Sequence, residues 1–201
     1  SADNSAAVLL EQLQKYNLPQ IRTVAIEKNQ GYGYGILYGL EQAQGKVLAW
    51  THADMQTDPS DVIAAYKKYK EFKDENLLVK GKRKNRRFSE FFFTFGMQVL
   101  ASLALKTWLD DINAQPKLFG RSFYERYIKG SAPQDFSLDL YALYMAKKHG
   151  KIAQIPVAFK ERQFGEAKGG GGSDFKTKFK LIKRTFNYIF ALARAQAAGH
   201  K

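Results

Sequence analysis

Val47-Leu48-Ala49-Trp50-Thr51-His52-Ala53-Asp54-Met55-Gln56-Thr57-Asp58-Pro59 is the stretch that decides the fold. Four apolar residues run straight into a cluster of oxygen and nitrogen donors, which describes a buried strand ending in a polar turn. Open α/β sheets bind ligands just beyond the carboxyl ends of such strands. His52, Asp54 and Gln56 alternate, so if strand geometry continues past Trp50 their side chains share one face and converge on one cation. The competing reading is a polar loop whose Asp58 merely caps the helix begun by Pro59.

The same alternation extends in both directions. Upstream, Asp3, Asn4 or Ser5 caps a helix over about 5–16, in which Val8, Leu9, Leu10, Leu13 and Tyr16 recur at helical spacing, and Ile21 to Ile26 reads as a short strand. A glycine-containing turn, Asn29 to Gly35, leads into a helix reaching about Gln44, with Gly45 as its stop. Gly31-Tyr32-Gly33-Tyr34-Gly35 lets backbone amides and a positive helix end approach a ligand. It lacks a following Gly-Lys-Ser/Thr and the full G-x-G-x-x-G pattern, so a plain tight turn is the alternative. Downstream, Asp58-Pro59-Ser60 opens a helix to about Phe72, and Leu77 to Val79 makes a strand. Strands and helices taking turns predict an α/β fold, a mostly parallel sheet flanked by helices.

Past a basic run of Lys80, Lys82, Arg83, Lys84, Arg86 and Arg87, the segment Phe88 to Trp108 is apolar almost all round, yet too polar to predict a membrane span. Asp111 to Phe119 reads as extended, Phe136 to Lys148 as a helix and Ile152 to Phe159 as a strand. Arg162, Gly165 and Lys168 lie in a glycine-rich loop, either a closing flap over a diphosphate or a flexible linker. A C-terminal amphipathic helix over about Phe175 to Ala195, within a tail from 174 to 201, carries Lys and Arg between aromatic residues. Its apolar face covers a neighbouring subunit in a homo-oligomer or a membrane surface.

At 201 residues and 45% hydrophobic, the chain is expected to form one domain over 1–201. It has no cysteine, which excludes disulfides, zinc-thiolate sites and a thiol nucleophile and suits a reducing cytoplasm. Ser1 to Ala7 shows no secretory signal. The net charge of +13 calls for an anionic partner: nucleic acid, acidic lipid or a phosphorylated substrate.

In order along the chain, these pieces resemble the family 2 glycosyltransferases, in particular the dolichol-phosphate mannose synthase and bacterial polyprenyl-phosphate glycosyltransferase branch. Ser1 to Ser5 looks like the tail of a D-D-G-S-T-D-N-T segment; Asn29, Gly31, Gly39, Ala43 and Gly45 match N-x-G then G-x-x-x-A-x-G. His52 to Pro59 is similar to D-A-D-x-Q-x-D-P, Gly81-Lys82-Arg83 to G-x-R, Asp111 to Phe119 to D-x-x-x-x-x-K-x-F, and Arg162 to Lys168 to R-x-x-G-x-S-K, with Ala167 in place of the serine. The resemblance implies a GT-A fold and transfer of a sugar from a nucleoside-diphosphate sugar, UDP- or GDP-linked, to a polyprenyl or dolichyl phosphate. It implies that Asp54 and Gln56 help hold Mn2+ or Mg2+ on the donor diphosphate, and that Asp3, Asn29, Gly31, Arg83, Arg162 and Lys168 lie on the donor side. His52 stands where the family has the first Asp of D-x-D, so either an imidazole replaces a carboxylate as ligand or that arm is lost. The family's first strand, helix and second strand would precede Ser1, so the chain is expected to be N-terminally incomplete.

The chemistry so implied develops negative charge on a departing diphosphate, with Asp54 central and Asp135 or Asp139 as candidate acceptor-side carboxylates; for Asp135 helix capping is the rival role. A lipid phosphate acceptor needs no strong base, whereas a sugar hydroxyl, as in surface polysaccharide synthesis, does. The expected location is cytoplasmic, peripheral at the inner face of the cell membrane. Rival readings from other classes are a nucleic-acid-binding module, which leaves the His-Ala-Asp-Met-Gln signature unexplained, and a non-catalytic peripheral membrane module.

Overall fold

The computed structural model describes residues 4–84, 99, 102–160, 183–184 and 186–194. Helix α1 spans Ser5–Tyr16 and α2 Tyr32–Gln42; β1 is Val47–Trp50, α3 Asp61–Lys70, β2 Leu78–Lys84 and β3 Lys117–Gly120. A single helical turn, Arg121–Phe123, widens into a π-helix, Tyr124–Ile128, before α4, Leu138–His149, and β4, Ile152–Ala158. The strands form one sheet in the order β1-β3-β2-β4.

β3 pairs antiparallel with both β1 and β2, whereas β2 and β4 run parallel. Three of the four strands therefore share one direction and β3 alone is reversed, so the expected α/β sheet flanked by helices is present, but the inserted β3 makes two of its three ladders antiparallel where a mostly parallel sheet was expected. Leu48, Phe119 and Leu78 form one row across β1, β3 and β2. They pack beneath α2, the π-helix and α4 in the larger core cluster, which also takes Ile189 of the last described helix, 186–194. On the opposite face Val79, Leu118, Ala153, Ile155 and Val157 bury against Ala65 of α3. Helices on both faces of the sheet give a three-layer sandwich, because each sheet face is apolar at alternate positions.

Several sequence expectations need correction. Residues 21–26 form no strand: among the described residues no ladder partner reaches them, and Ile21 and Val24 are exposed. The stretch from Asp111 is a series of turns until β3 starts at Lys117, and Ala114 N–H bonds back to Asp111 O (3.0 Å). The Gln115–Pro116 peptide is cis. At the N-terminus Asn4 is the N-cap of α1 but makes no side-chain capping bond, and Asp3 lies outside the described residues. Most of the apolar segment 88–108 also lies outside them; from its end, Leu105 and Leu109 are buried in the larger core.

Two of the sterically required glycines lie beside the functional edge. A Cβ on Gly33 would sit 2.6 Å from the backbone of Asp135, so α2 can lie against the segment before α4 only without one. A Cβ on Gly81 would run into the carbonyl of Gln115, which passes directly over β2. By contrast Gly39, inside α2, has nothing within 4 Å of its would-be Cβ. Gly81→Ala is therefore expected to lower unfolding free energy by about 2–3 kcal/mol through overpacking. Gly39→Ala should raise it by about 0.5–1 kcal/mol through helix propensity and unfolded-state entropy. Urea titrations of the two variants beside the parent check this; equal midpoints would refute the packing argument.

Candidate functional site

The site lies where β1, β2 and β4 end and the reversed β3 begins. β1 stops at Trp50, and residues 51–57 form a bend in which Met55 takes a left-handed φ of 61°. Strand geometry therefore does not continue through His52, Asp54 and Gln56, and their alternation does not by itself place them on one face. Asp54 Oδ1 accepts the Gln56 backbone N–H (3.2 Å), while the Gln56 side chain donates to Lys160 O (3.4 Å) and Lys160 N–H to Gln56 O (2.8 Å). This pins the turn after β1 to the end of β4. Asp58 Oδ1 accepts from Ser60 N–H (2.9 Å), the helix-start role foreseen for it.

His52 is the meeting point of the charges. Burial holds its imidazole below the ordinary histidine range, opposed by the nearby carboxylates of Asp54 and Asp139 and reinforced by Lys117 and Arg83. Its ring meets Phe159 edge-on, at 5.9 Å between centroids, and the Arg83 guanidinium lies 5.3 Å from the centroid of that same ring. Charged groups of the turn after β1, the end of β2, the start of β3 and α4 thus act on one imidazole, whose ring meets Phe159 at the exit of β4.

Arg83 does not present a free fork. Its Nε and Nη2 reach Asp111 Oδ1 at 2.8 and 2.5 Å, and its backbone N–H donates to Asp111 Oδ2 at 2.8 Å. Asp139 is buried, 2% exposed, and both its oxygens are engaged: Oδ1 with the Lys117 ammonium and Oδ2 with the Tyr32 hydroxyl (2.7 Å). Gln115 Nε2 donates in turn to Tyr32 Oη (2.6 Å). Burial and the adjacent Asp139 charge drive the Tyr32 phenol far above its ordinary range, so it stays a donor. Asp135 Oδ1 accepts Ser137 N–H (2.8 Å) in the turn that leads into α4, whose N-cap is Ser137 without a side-chain capping bond, and its Oδ2 pairs with Arg184 (2.8 Å). Asn29 Oδ1 accepts Gly31 N–H (2.9 Å), and Gly31 has a φ of 111° that suits glycine. Helix α2 begins at Tyr32, inside the presumed turn, and Tyr34 N–H bonds Gln134 O (2.9 Å). Of these glycines Gly33, pressed on Asp135, serves close packing within the chain, Gly31 serves the positive φ, and Gly35 meets nothing within 4 Å. Arg162 and Lys168 lie outside the described residues.

With this geometry in view, the comparisons are decisive at family level: the profile of Glycosyl transferase family 2 matches residues 1–127. The chain belongs to that family. It is also 26% identical over 199 residues to the undecaprenyl-phosphate 4-deoxy-4-formamido-L-arabinose transferase of Photorhabdus laumondii, covering 97% of this chain and 56% of that protein. The chain thus spans about half the length of the curated relative it matches.

Within this family 2 chain, sequence reasoning had singled out His52, Asp54, Arg83 and Asp139, which the fold brings together, but had overlooked Tyr32, Gln115 and Phe159. Tyr32 hid between glycines that read as a turn. Lys117 appeared only as a motif letter, although a lysine between Pro116 and Leu118-Phe119, with apolar neighbours on both sides, is a signal for a buried cation. Among the described residues no three His, Cys, Asp or Glu side chains form a ready metal cage. The donors present fit a hard cation carried in with phosphate oxygens, which needs only one or two protein carboxylates.

Lys80 lies next to this centre, fully buried, and burial lowers its ammonium to about 8 against Asp110 and Asp111, which raise it. Between about 8 and its ordinary 10.5 the unfolded chain binds more protons at this residue than the folded one. Stability should therefore rise with pH across that window, by on the order of 2–3 kcal/mol from this group. Urea unfolding of the parent and of Lys80→Met from pH 7 to 10.5 checks it, the parent gaining relative to the variant; parallel curves would show that Lys80 does not titrate there.

Proposed function

We propose that this chain is the catalytic part of a glycosyltransferase that moves a sugar from a nucleoside-diphosphate sugar, UDP- or GDP-linked, to a polyprenyl-type phosphate. The observation that carries the reading is the convergence of Asp54, His52, Arg83 and the Lys117–Asp139 pair at the carboxyl edge of the sheet in a family 2 chain. In the reaction the bond from the anomeric carbon to the diphosphate oxygen breaks as a bond to the acceptor oxygen forms, and negative charge collects on the departing diphosphate. A divalent ion, Mn2+ or Mg2+, neutralises that charge when bound. Asp54 would hold it, with His52 at its side; an imidazole ligand favours Mn2+ over Mg2+. Gln56 serves through its bond to Lys160, which keeps the turn in place. Arg83, locked on Asp111, contributes a fixed positive potential, and Arg162 and Lys168 are retained as donor-side cations.

Asp139 favours an acceptor that arrives ionised. Buried at 2% exposure, with one oxygen held by Lys117 and the other by Tyr32, it is poorly placed to take a hydroxyl proton, whereas a phosphate monoester, with a second pKa of about 6, needs no base. The name of the Photorhabdus relative, an undecaprenyl-phosphate sugar transferase, points the same way. A nucleic-acid role is disfavoured because two of the four basic residues of β2, Lys80 and Arg83, turn inward to Asp110 and Asp111, leaving only Lys82 and Lys84 of that strand exposed. A screen of UDP- and GDP-sugars with and without Mn2+, against polyprenyl phosphate and against sugar acceptors, tests the proposal. Metal-dependent transfer to the lipid phosphate is expected, and Asp54→Ala should cut it by about 100-fold or more with unchanged melting. Near-normal turnover in that variant would remove Asp54 from the site, and transfer to a hydroxyl would redirect the acceptor.

Such an acceptor places the chain at an anionic membrane surface on the cytoplasmic side. Among the described residues no helix is long and apolar enough to cross a membrane. In the described part of the last helix Ile189, Tyr188 and Leu192 pack on the core, while Lys183 and Arg184 are exposed and Phe190 is 48% exposed. Leu103 (72% exposed) and Trp108 (57% exposed) flank the buried Leu105 and offer an apolar contact. Each basic residue near an anionic leaflet adds about 1 kcal/mol, so docking would be reversible and salt-sensitive. Flotation with anionic but not neutral vesicles is expected, weakened by Lys183→Glu and by Trp108→Ala; no binding to either vesicle at low salt would eliminate membrane docking.

A further inference from the structure

One row of side chains crosses the whole sheet. Trp50 of β1 is opposite Lys117 of β3, Lys117 opposite Lys80 of β2, and Lys80 beside Gln154 of β4. Paired residues share a face, so all four point to the α2 and α4 side, one step beyond the apolar row of Leu48, Phe119 and Leu78. Both lysines are fully buried.

The segment that they face, 110–115, is irregular chain inside the fold, and its carbonyls need donors that a strand partner would otherwise supply. The lysines supply them. Lys80 Nζ donates to Asp110 O (2.5 Å) and Asp111 O (3.2 Å) and lies 3.3 Å from Asp110 Oδ1. Lys117 Nζ donates to Ile112 O (2.9 Å), Ala114 O (3.2 Å) and Asp139 Oδ1, and lies 5.8 Å from the Trp50 ring centroid. Gln154 Nε2 adds bonds to both oxygens of Asp110 (3.0 and 3.1 Å). Each ammonium has three acceptors for three N–H groups. The segment so held carries the two side chains that organise the site: Asp111, which fixes Arg83, and Gln115, which reaches Asp139 through Tyr32.

We infer that Lys117 and Lys80 are positioning residues of this enzyme: two buried ammonium groups that hold residues 110–115 down on the sheet and thereby set Arg83, through Asp111, for the charge that develops on the departing diphosphate, with Asp139 as the buried counter-ion of Lys117. The kinetic part of this inference rests on the proposed glycosyltransferase reading; the structural part does not. Both lysines act on catalytic geometry through other groups, so their loss is expected in kcat and not in donor KM.

The absence of cysteine makes a clean test possible. Lys117→Cys, alkylated under denaturant with 2-bromoethylamine and refolded, regains an ammonium at nearly the lysine position. Hydrogen exchange by mass spectrometry then reports the segment. We expect the amides within 110–115 to exchange about tenfold faster in Lys117→Cys, with α3 and β4 unchanged, and to recover on aminoethylation. In parallel, kcat should fall by about 100-fold with donor KM within about threefold, and recover on aminoethylation. Parent-like exchange in 110–115, a uniform rise over the whole sheet, or recovery with an uncharged ethyl group would each overturn the inference. If Lys117→Cys does not refold, Lys80→Met carries the same test, with faster exchange expected at 110–112 and parent-like exchange overturning it. A parent chain that transfers no sugar from any donor would sink the functional reading alone, since the exchange comparison still decides the clamp.

Discussion

Two lysine ammonium groups buried between a sheet and a piece of irregular backbone are the interaction on which the rest of this molecule depends. An unpaired buried cation costs several kcal/mol, so Lys80 and Lys117 persist only because main-chain carbonyls and the carboxylates of Asp110 and Asp139 surround them. The dependence is mutual: without those cations the carbonyls of Asp110, Ile112 and Ala114 would lose the donors that hold them. A neutral side chain could match the shape but not the number of donors. Charge is placed inside the protein here for geometry, and the lowered Lys80 shows what burial costs it.

From that constraint the site follows by contact. The segment 110–115 passes so near β2 that position 81 must be glycine, and Gly81 N–H bonds Pro116 O (2.9 Å). Asp111 then reaches Arg83, and Gln115 reaches Tyr32, whose ring stacks on Phe136 at 5.0 Å just before α4. Gly33 lets α2 close on the same region. Two helices, two strands and a loop therefore agree on the position of one carboxylate, Asp139.

Much of the scaffold was legible in the sequence, because strands β1, β2 and β4 and helices α2, α3 and α4 carry strong local signals: apolar runs, glycine or proline punctuation, and helical periodicity. The polar turn after Val47–Trp50 pointed to the functional edge for a physical reason, since ligands gather where strands end. What stayed hidden depends on distance along the chain. Val24 and its neighbours look like a strand, but a ladder partner is not a local property, and none meets them. Lys117 joins residues 112, 114 and 139, and Tyr32 joins 115 and 139; neither linkage has a spacing rule. Arg83 read correctly as a site residue, yet its partner Asp111 was visible only as a neighbour in a motif. The reversed β3 escaped notice because four residues of strand look alike in either direction.

That reversal divides the functional edge into two kinds of material. A strand that leaves the edge contributes the loop after it, and loops after β1 and β4 can change length and chemistry at little cost to the core. A strand that arrives at the edge contributes its approach, and here the approach is residues 110–116, tied to the sheet at nearly every carbonyl. Variation among descendants of this chain should therefore accumulate in the outgoing loops and leave the incoming segment almost untouched. Substrate range can drift on one side of the edge while the other keeps the chemistry in register.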